Sequence, residues 1–117
     1  MKTENIIVDK SKTFALRIIK LYQYLLDSKI DYALLSQLVK SGTSIGANVK
    51  EAVRGQSKAD FAAKMNIALK EASETEYWLD ILHATDYIND KEFVSINGDL
   101  TEIGKILTSI VKTSLND

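Results

Sequence analysis

Polar side chains that could bind a metal ion or move a proton follow helical spacing within residues 41–82. Their carboxylates suggest metal chemistry, because di-iron bundles hold their ions with Glu and Glu-x-x-His motifs on inward helix faces. Such a centre needs the His motif from two helices, and this chain contains one His, His83. We therefore predict no metal site and no cofactor. The residues remain candidates for a structural polar seam: Ser41, Ser44, Asn48, Glu51, Glu71 and Glu74.

Nucleophilic catalysis has no better support in the sequence. The chain contains no Cys, and Ser41 and Ser44 have only the distant His83 as a base, so a catalytic triad lacks its members. The segment GTSIG at residues 42–46 lacks the GK[ST] ending and the preceding strand of a phosphate-binding loop. We predict that the protein is not an enzyme and has no catalytic residues.

Hydrophobic spacing predicts helices and no strand. A line of seam positions runs without a break through the loop-like residues 41–44: Leu35, Leu38, Gly42, Ile45, Val49 and Ala52. The chain contains no Pro, which fits long uninterrupted helices. Because the links are short, neighbouring helices should run antiparallel, so the predicted fold class is all-α, an up-down-up-down antiparallel four-helix bundle.

The predicted helices cover about residues 9–28, 32–54, 58–85 and 90–114. Asp9, Asp31 and Ser57 are the expected N-terminal caps, since their side-chain oxygens can accept from free backbone N–H groups. We predict one domain over residues 9–117, preceded by a flexible N-terminus of residues 1–8.

Antiparallel pairing of the second and third helices places the polar seam along their contact. With the turn centred near residue 56, Asn48 should face Lys64. Gly42 and Gly46 would let the backbones approach or leave room for the carboxylates. We expect a buried or half-buried network in which hydroxyl and amide groups bind the carboxylates. Setting helix register is the favoured role, because it is the best-attested use of isolated polar seam positions; a binding or acid/base site is the alternative.

Charge is distributed unevenly along the chain. Residues 1–70 carry 12 Lys and Arg against 6 Asp and Glu, whereas residues 71–117 carry 3 against 10. The basic part could meet an acidic partner such as nucleic acid, the acidic part of another copy in a ring, or the last helices of the same chain. The candidate nucleic-acid contacts are Lys10, Lys12, Arg17, Lys20, Lys40, Lys50 and Arg54, whose alternative role is an ordinary solvated helix surface.

Cysteine usage and hydropathy bear on location. The lack of Cys suits a reducing compartment, so we expect a cytoplasmic protein. The most apolar N-terminal run, residues 14–26, is interrupted by Arg17, Lys20 and Gln23. It therefore predicts neither a signal peptide nor a membrane span.

Two segments, SIGANVKEA at residues 44–52 and ALKEASETEYWL at residues 68–79, carry a family resemblance. Together with KTFA at residues 12–15 and IIKLY at residues 18–22, they resemble the four-helix bundle proteins encoded within intervening sequences of bacterial 23S ribosomal RNA genes. The resemblance covers roughly residues 5–112. It implies an up-down bundle that assembles as a cyclic homopentamer, with no established enzymatic activity.

The same resemblance implies a relationship to accessory proteins of diversity-generating retroelements, which are basic pentamers that engage nucleic acid and a reverse transcriptase. This chain differs from them in its acidic C-terminal third and its net charge of −1. We therefore predict a self-assembling scaffold, with apolar surface near Tyr22, Tyr24, Tyr77 and Trp78. The alternative function is a nucleic-acid-binding accessory protein that uses the basic faces of the first two helices on RNA or DNA.

Overall fold

The chain folds into four α-helices in a computed structural model that describes residues 2–116. The helices are α1 (Lys2–Leu25), α2 (Tyr32–Val53), α3 (Lys58–Ala84) and α4 (Asp90–Asn116). Each packs against its neighbours in the chain, and α1 also packs against α4, which closes a four-sided bundle of 47 × 22 × 19 Å. The predicted all-α bundle is confirmed, and no strand occurs within the described residues.

Buried residues at alternating spacings of three and four form the core. In α2 every residue of the predicted line from Leu35 to Ala52 is buried. The α3 helix contributes a matching line in which Met65, Leu79 and Leu82 are fully buried. Both helices present one narrow stripe to the bundle axis, as a coiled-coil-like seam requires. The unbroken seam explains why residues 41–44 are helical although Ser and Gly favour turns.

Side-chain caps fix where three of the helices begin. The Asp31 carboxylate accepts from Ala33 N at 2.8 Å, and the Ser57 hydroxyl accepts from Asp60 N at 3.0 Å, as predicted. At the start of α4, Asn89 and Glu92 form a reciprocal capping box, with each side chain bound to the other residue's backbone N–H at 2.8 Å. These caps account for the close agreement of predicted and observed starts in α2, α3 and α4.

The predicted start of α1 is wrong. The helix begins at Lys2 rather than near Asp9, so residues 2–8, expected to be a flexible segment, are helical. Fully buried Ile7 lies on the same line as Ser11 and Phe14, and all three face the core. Burial of Ile7 gives these first turns a reason to be helical. Asp9 is exposed and lies inside the helix, so it is not a cap.

No helix within residues 2–116 combines the length and the hydropathy needed to cross a membrane.

Candidate functional site

A pair of hydroxyl groups lies in the buried contact between α2 and α3. Ser41 and Thr75 are both fully buried, and their side-chain oxygens are 3.0 Å apart. Thr75 Oγ1 is also 2.8 Å from the carbonyl oxygen of Glu71, and Ser41 Oγ is 3.3 Å from that of Leu38. Each of the two hydroxyl protons therefore has an acceptor, so both buried hydroxyl groups are hydrogen-bonded. Of the two, Ser41 belongs to the predicted polar seam, whereas Thr75 was expected on the core line of the third helix.

The two glycines of α2 face α1 and not the carboxylates of α3. A Cβ atom on Gly42 would lie 2.8 Å from Ile18 Cγ1, closer than such atoms can approach. On Gly46, one turn further along, it would lie 3.4 Å from Ser11, in ordinary contact. The missing side chain of Gly42 therefore lets α1 and α2 pack closely. These glycines were expected either to let the backbones of α2 and α3 approach or to leave room for the carboxylates, and the nearest atoms at both belong instead to α1.

Ser44 and Asn48 satisfy their side chains within α2. Ser44 Oγ donates to the carbonyl oxygen of Lys40 at 2.6 Å, and Asn48 Nδ2 donates to that of Ser44 at 2.8 Å. Such bonds to the preceding turn are always available to short polar side chains in a helix. The expected hydrogen bonds from these residues to the carboxylates of α3 are absent from the described structure.

The carboxylates of the predicted polar seam lie toward the surface. Exposed Glu51 forms an ion pair with Lys64 at 3.2 Å. Lys64 was expected to face Asn48, so its observed partner lies nearly one turn closer to the α2–α3 connection. Exposed Glu74 accepts from the Trp78 indole N–H at 3.1 Å. Glu71 is half-buried, and its backbone carbonyl serves the hydroxyl pair. The structure thus brings one seam residue, Ser41, together with Thr75. In the sequence, Thr75 is a polar residue within an apolar line of α3, and this feature indicates that a buried polar partner such as Ser41 faces it.

Two of the predicted nucleic-acid contacts are instead bound to α4. Arg17 donates to Asp99 Oδ2 at 2.7 Å and to the hydroxyl of Ser95 at 2.5 Å, and Lys10 forms an ion pair with Glu102. The hydrogen bond and charge of Glu102 raise the pKa of Lys10 above its ordinary value. Part of the charge asymmetry along the sequence is therefore neutralised within the chain.

The other five basic candidates are exposed and spread over the surface: Lys12, Lys20, Lys40, Lys50 and Arg54. Lys50 and Arg54 share an open depression with Lys64 where α2 connects to α3. This end of the bundle also presents the first turn of α3, where Ser57 caps the Asp60 N–H and the carboxylates of Glu51 and Asp60 line the same depression.

Among residues 2–116, no three His, Asp or Glu side chains lie close enough together to hold a metal ion. His83 binds Asp90 through Nε2 at 2.7 Å and stacks on Phe93 with ring centroids 4.3 Å apart. These contacts of His83 join the end of α3 to the start of α4, which is a structural role.

The geometry defines a class of protein, the antiparallel four-helix bundle with a narrow core and one buried hydroxyl pair. The family model of the 23S rRNA-intervening sequence protein matches residues 3–109, and the chain belongs to that family. It is similar to a crystal structure of a protein of unknown function from the S23 ribosomal protein family of Bacteroides thetaiotaomicron VPI-5482. The two are 52% identical, with 94% of this chain and 98% of that chain covered and a TM-score of 0.91. No curated protein sequence matches significantly.

Proposed function

We propose that this protein is a non-enzymatic scaffold that works as a closed homo-oligomer, a pentamer. The observation that carries the proposal is exposed apolar surface, which occurs on all four helices and includes Val94 of α4. Leu16 of α1, Tyr32 of α2 and Tyr77 of α3 are each more than half exposed. Contiguous apolar patches on a soluble chain commonly mark protein interfaces.

Family membership supports the same proposal, because the resemblance noted in the sequence implies a cyclic homopentamer without established enzymatic activity. The proposed setting is the cytoplasm, as the lack of Cys suggests. Light scattering after size-exclusion chromatography tests the assembly over a range of protein concentrations. A closed ring keeps one mass as concentration rises, whereas an open filament grows. A monomer at every micromolar concentration would remove the proposal.

A second candidate function, binding of structured RNA or DNA, is favoured by the depression at the α2–α3 connection, which three basic side chains line beside two carboxylates. Lys50 and Arg54 are exposed there, beside the start of α3. Phosphate contacts lose affinity steeply with added salt. A gel shift with structured RNA at 50 and 200 mM salt should show weaker binding at the higher salt, and Lys50→Glu/Arg54→Glu should abolish it. Equal binding by the variant and the wild type would reject this interface.

A further inference from the structure

Two apolar faces lie on adjacent sides of the bundle and share α2 between them. The first apolar face consists of Leu16, Ile19, Leu26, Tyr32 and Val39. The second apolar face consists of Ile67, Tyr77, Trp78 and Ile81. Each combines exposed and half-buried side chains, so neither is covered by another part of the described chain.

Contacts of α1 fix the position of the first apolar face. Residues 17 and 19 flank the buried Ile18 on opposite sides of the helix. Arg17 binds Asp99 of α4, so Ile19 lies on the other side, toward α2. Leu16 and Leu26 lie three residues before and seven after Ile19, on the same stripe.

The α2 residues of this face are located in the same way. Tyr32, Val39 and Gly46 are seven residues apart and share one stripe. A Cβ on Gly46 would contact Ser11 of α1, so the stripe lies beside α1. The first apolar face is therefore one continuous side of the bundle, formed by α1 and α2.

The second apolar face lies on the side formed by α2 and α3. Ile67, Trp78 and Ile81 follow the helical spacing of Lys64, whose ammonium binds a carboxylate of α2. Tyr77 packs edge-to-face on Trp78 with 5.0 Å between ring centroids, which widens the apolar area. Two different apolar surfaces on one chain suit a contact in which unlike surfaces meet.

We propose that the first and second apolar faces are the two halves of one heterologous contact between copies of this chain. This inference rests on the proposed homo-oligomer and specifies its interface. Adjacent sides of a four-helix bundle lie at about a right angle, and closed rings of four to six copies need about 90° to 120° between their two contact faces. Unlike faces at this angle therefore close a small ring.

The first and second apolar faces also lie at matching heights along the bundle axis. Ile18 approaches Gly42, and Thr75 approaches the adjacent Ser41, so α1 and α3 are level at these residues. Lys12 lies six residues before Ile18, and Glu71 lies four residues before Thr75. Because α1 and α3 run parallel, Lys12 and Glu71 are within one helical turn of the same level. In a ring whose axis follows the bundle, each protomer keeps the same height, so the levels of the two faces agree.

Four charged residues at the borders favour the same pairing, whereas Asp9 and Asp27 beside the first apolar face do not contribute to it. Lys12 and Lys50 border the first apolar face, and neither forms an ion pair within residues 2–116. Glu71 and Glu74 border the second, where the exposed Lys70 of α3 and Lys40 of α2 also lie. Opposite charges at the rim favour the correct partner and orientation of a contact.

A complementation experiment tests the pairing. Leu16→Glu blocks the first face and Tyr77→Glu blocks the second, at side chains that are 57% and 56% exposed. Each variant alone should be monomeric by sedimentation velocity. An equal mixture should form dimers of about 26 kDa, twice the 13.1 kDa chain mass, because each variant keeps one intact face. Val94→Glu, at a 68% exposed position of α4 outside both faces, is the matched control and should assemble as the wild type does.

Disulfide cross-linking tests the contact without weakening either face, since the natural chain has no Cys. A chain carrying both Lys12→Cys and Glu71→Cys should form a covalent ladder of oligomers on oxidation, detected on non-reducing gels. Each single variant should give no ladder, because position 12 meets position 71 of another copy and not itself. Dimers from the single variants would indicate a symmetric contact and overturn the pairing.

The outcomes separate this inference from the proposed function. A wild-type monomer overturns both. A wild-type oligomer that persists in Leu16→Glu or Tyr77→Glu overturns the face assignment and leaves the scaffold proposal standing. Far-UV circular dichroism establishes that each variant is folded. If either Glu variant unfolds, the cross-linking ladder decides, and its absence in a folded double-Cys oligomer rejects the pairing.

Discussion

Replacing Gly42 by Ala tests the close packing of α1 against α2. Gly→Ala in a helix interior gains about 1 kcal/mol of stability from helix propensity. Against this gain, the new Cβ would lie 2.8 Å from Ile18 Cγ1 and 3.0 Å from Ile18 Cγ2. Ile18 is fully buried and cannot move without displacing its neighbours. Overpacking of this kind costs about 1–3 kcal/mol, so we expect a net loss of about 1 kcal/mol.

Urea denaturation followed by far-UV circular dichroism measures this loss, with all variants at one protein concentration because assembly shifts apparent stability. Gly98→Ala is the matched control, since a Cβ there would meet no atom within 4 Å apart from its own stretch of helix. It should raise the free energy of unfolding by up to about 1 kcal/mol. If Gly42→Ala stabilises the protein as much as Gly98→Ala does, the close approach to Ile18 is refuted.

Three other contacts carry predictions of their own. Thr75→Val should lower the free energy of unfolding by about 1–2 kcal/mol, because it leaves the buried Ser41 hydroxyl with one long bond, and adding Ser41→Ala should recover most of the loss. Urea denaturation measures both variants, and additive losses would contradict the pairing. Arg17→Ala should cost up to about 1 kcal/mol in thermal melts at low salt and less at 1 M NaCl, because exposed ion pairs are screened; a salt-independent loss would contradict this. Since Glu102 raises the pKa of Lys10, their pair should stabilise the fold fully below the ordinary lysine pKa of 10.5 and lose that effect as pH rises through the raised value. Lys10→Met should therefore differ from the wild type in urea denaturation at pH 7 and approach it above pH 10.5, whereas a pH-independent difference would argue against the pair.

Helix spacing predicted the bundle because each seam repeats over several turns, so single misleading residues carry little weight. The turn-like residues 97–99, Asn-Gly-Asp, lie inside α4, as the predicted helix over residues 90–114 requires, and Asp99 binds Arg17 there. The early start of α1 was missed because Ser11 interrupts its apolar line. Ser11 is 1% exposed, beside Gly46 of α2, and its hydroxyl donates to the Val8 carbonyl at 3.2 Å. A buried Ser becomes understandable only when its tertiary neighbour is known.

The polar seam shows the limit of spacing arguments in a different way. Spacing places Ser44 and Asn48 beside the seam, but it cannot choose their hydrogen-bond partners. Both bind carbonyl oxygens of their own helix, because that bond orders no second helix. Glu74 lies at the surface, where its charge keeps water contact that a core position would remove. Only Ser41, directly beside the seam, reaches a side-chain hydroxyl of α3.

The mass of the wild-type protein in solution tests the central claim most directly. Native mass spectrometry, with light scattering at several micromolar concentrations as a check, gives the number of copies per particle. The proposed pentamer should give one closed species of about 66 kDa, five times the 13.1 kDa chain mass. A 13.1 kDa monomer at all concentrations, or a mass that grows continuously with concentration, would contradict it.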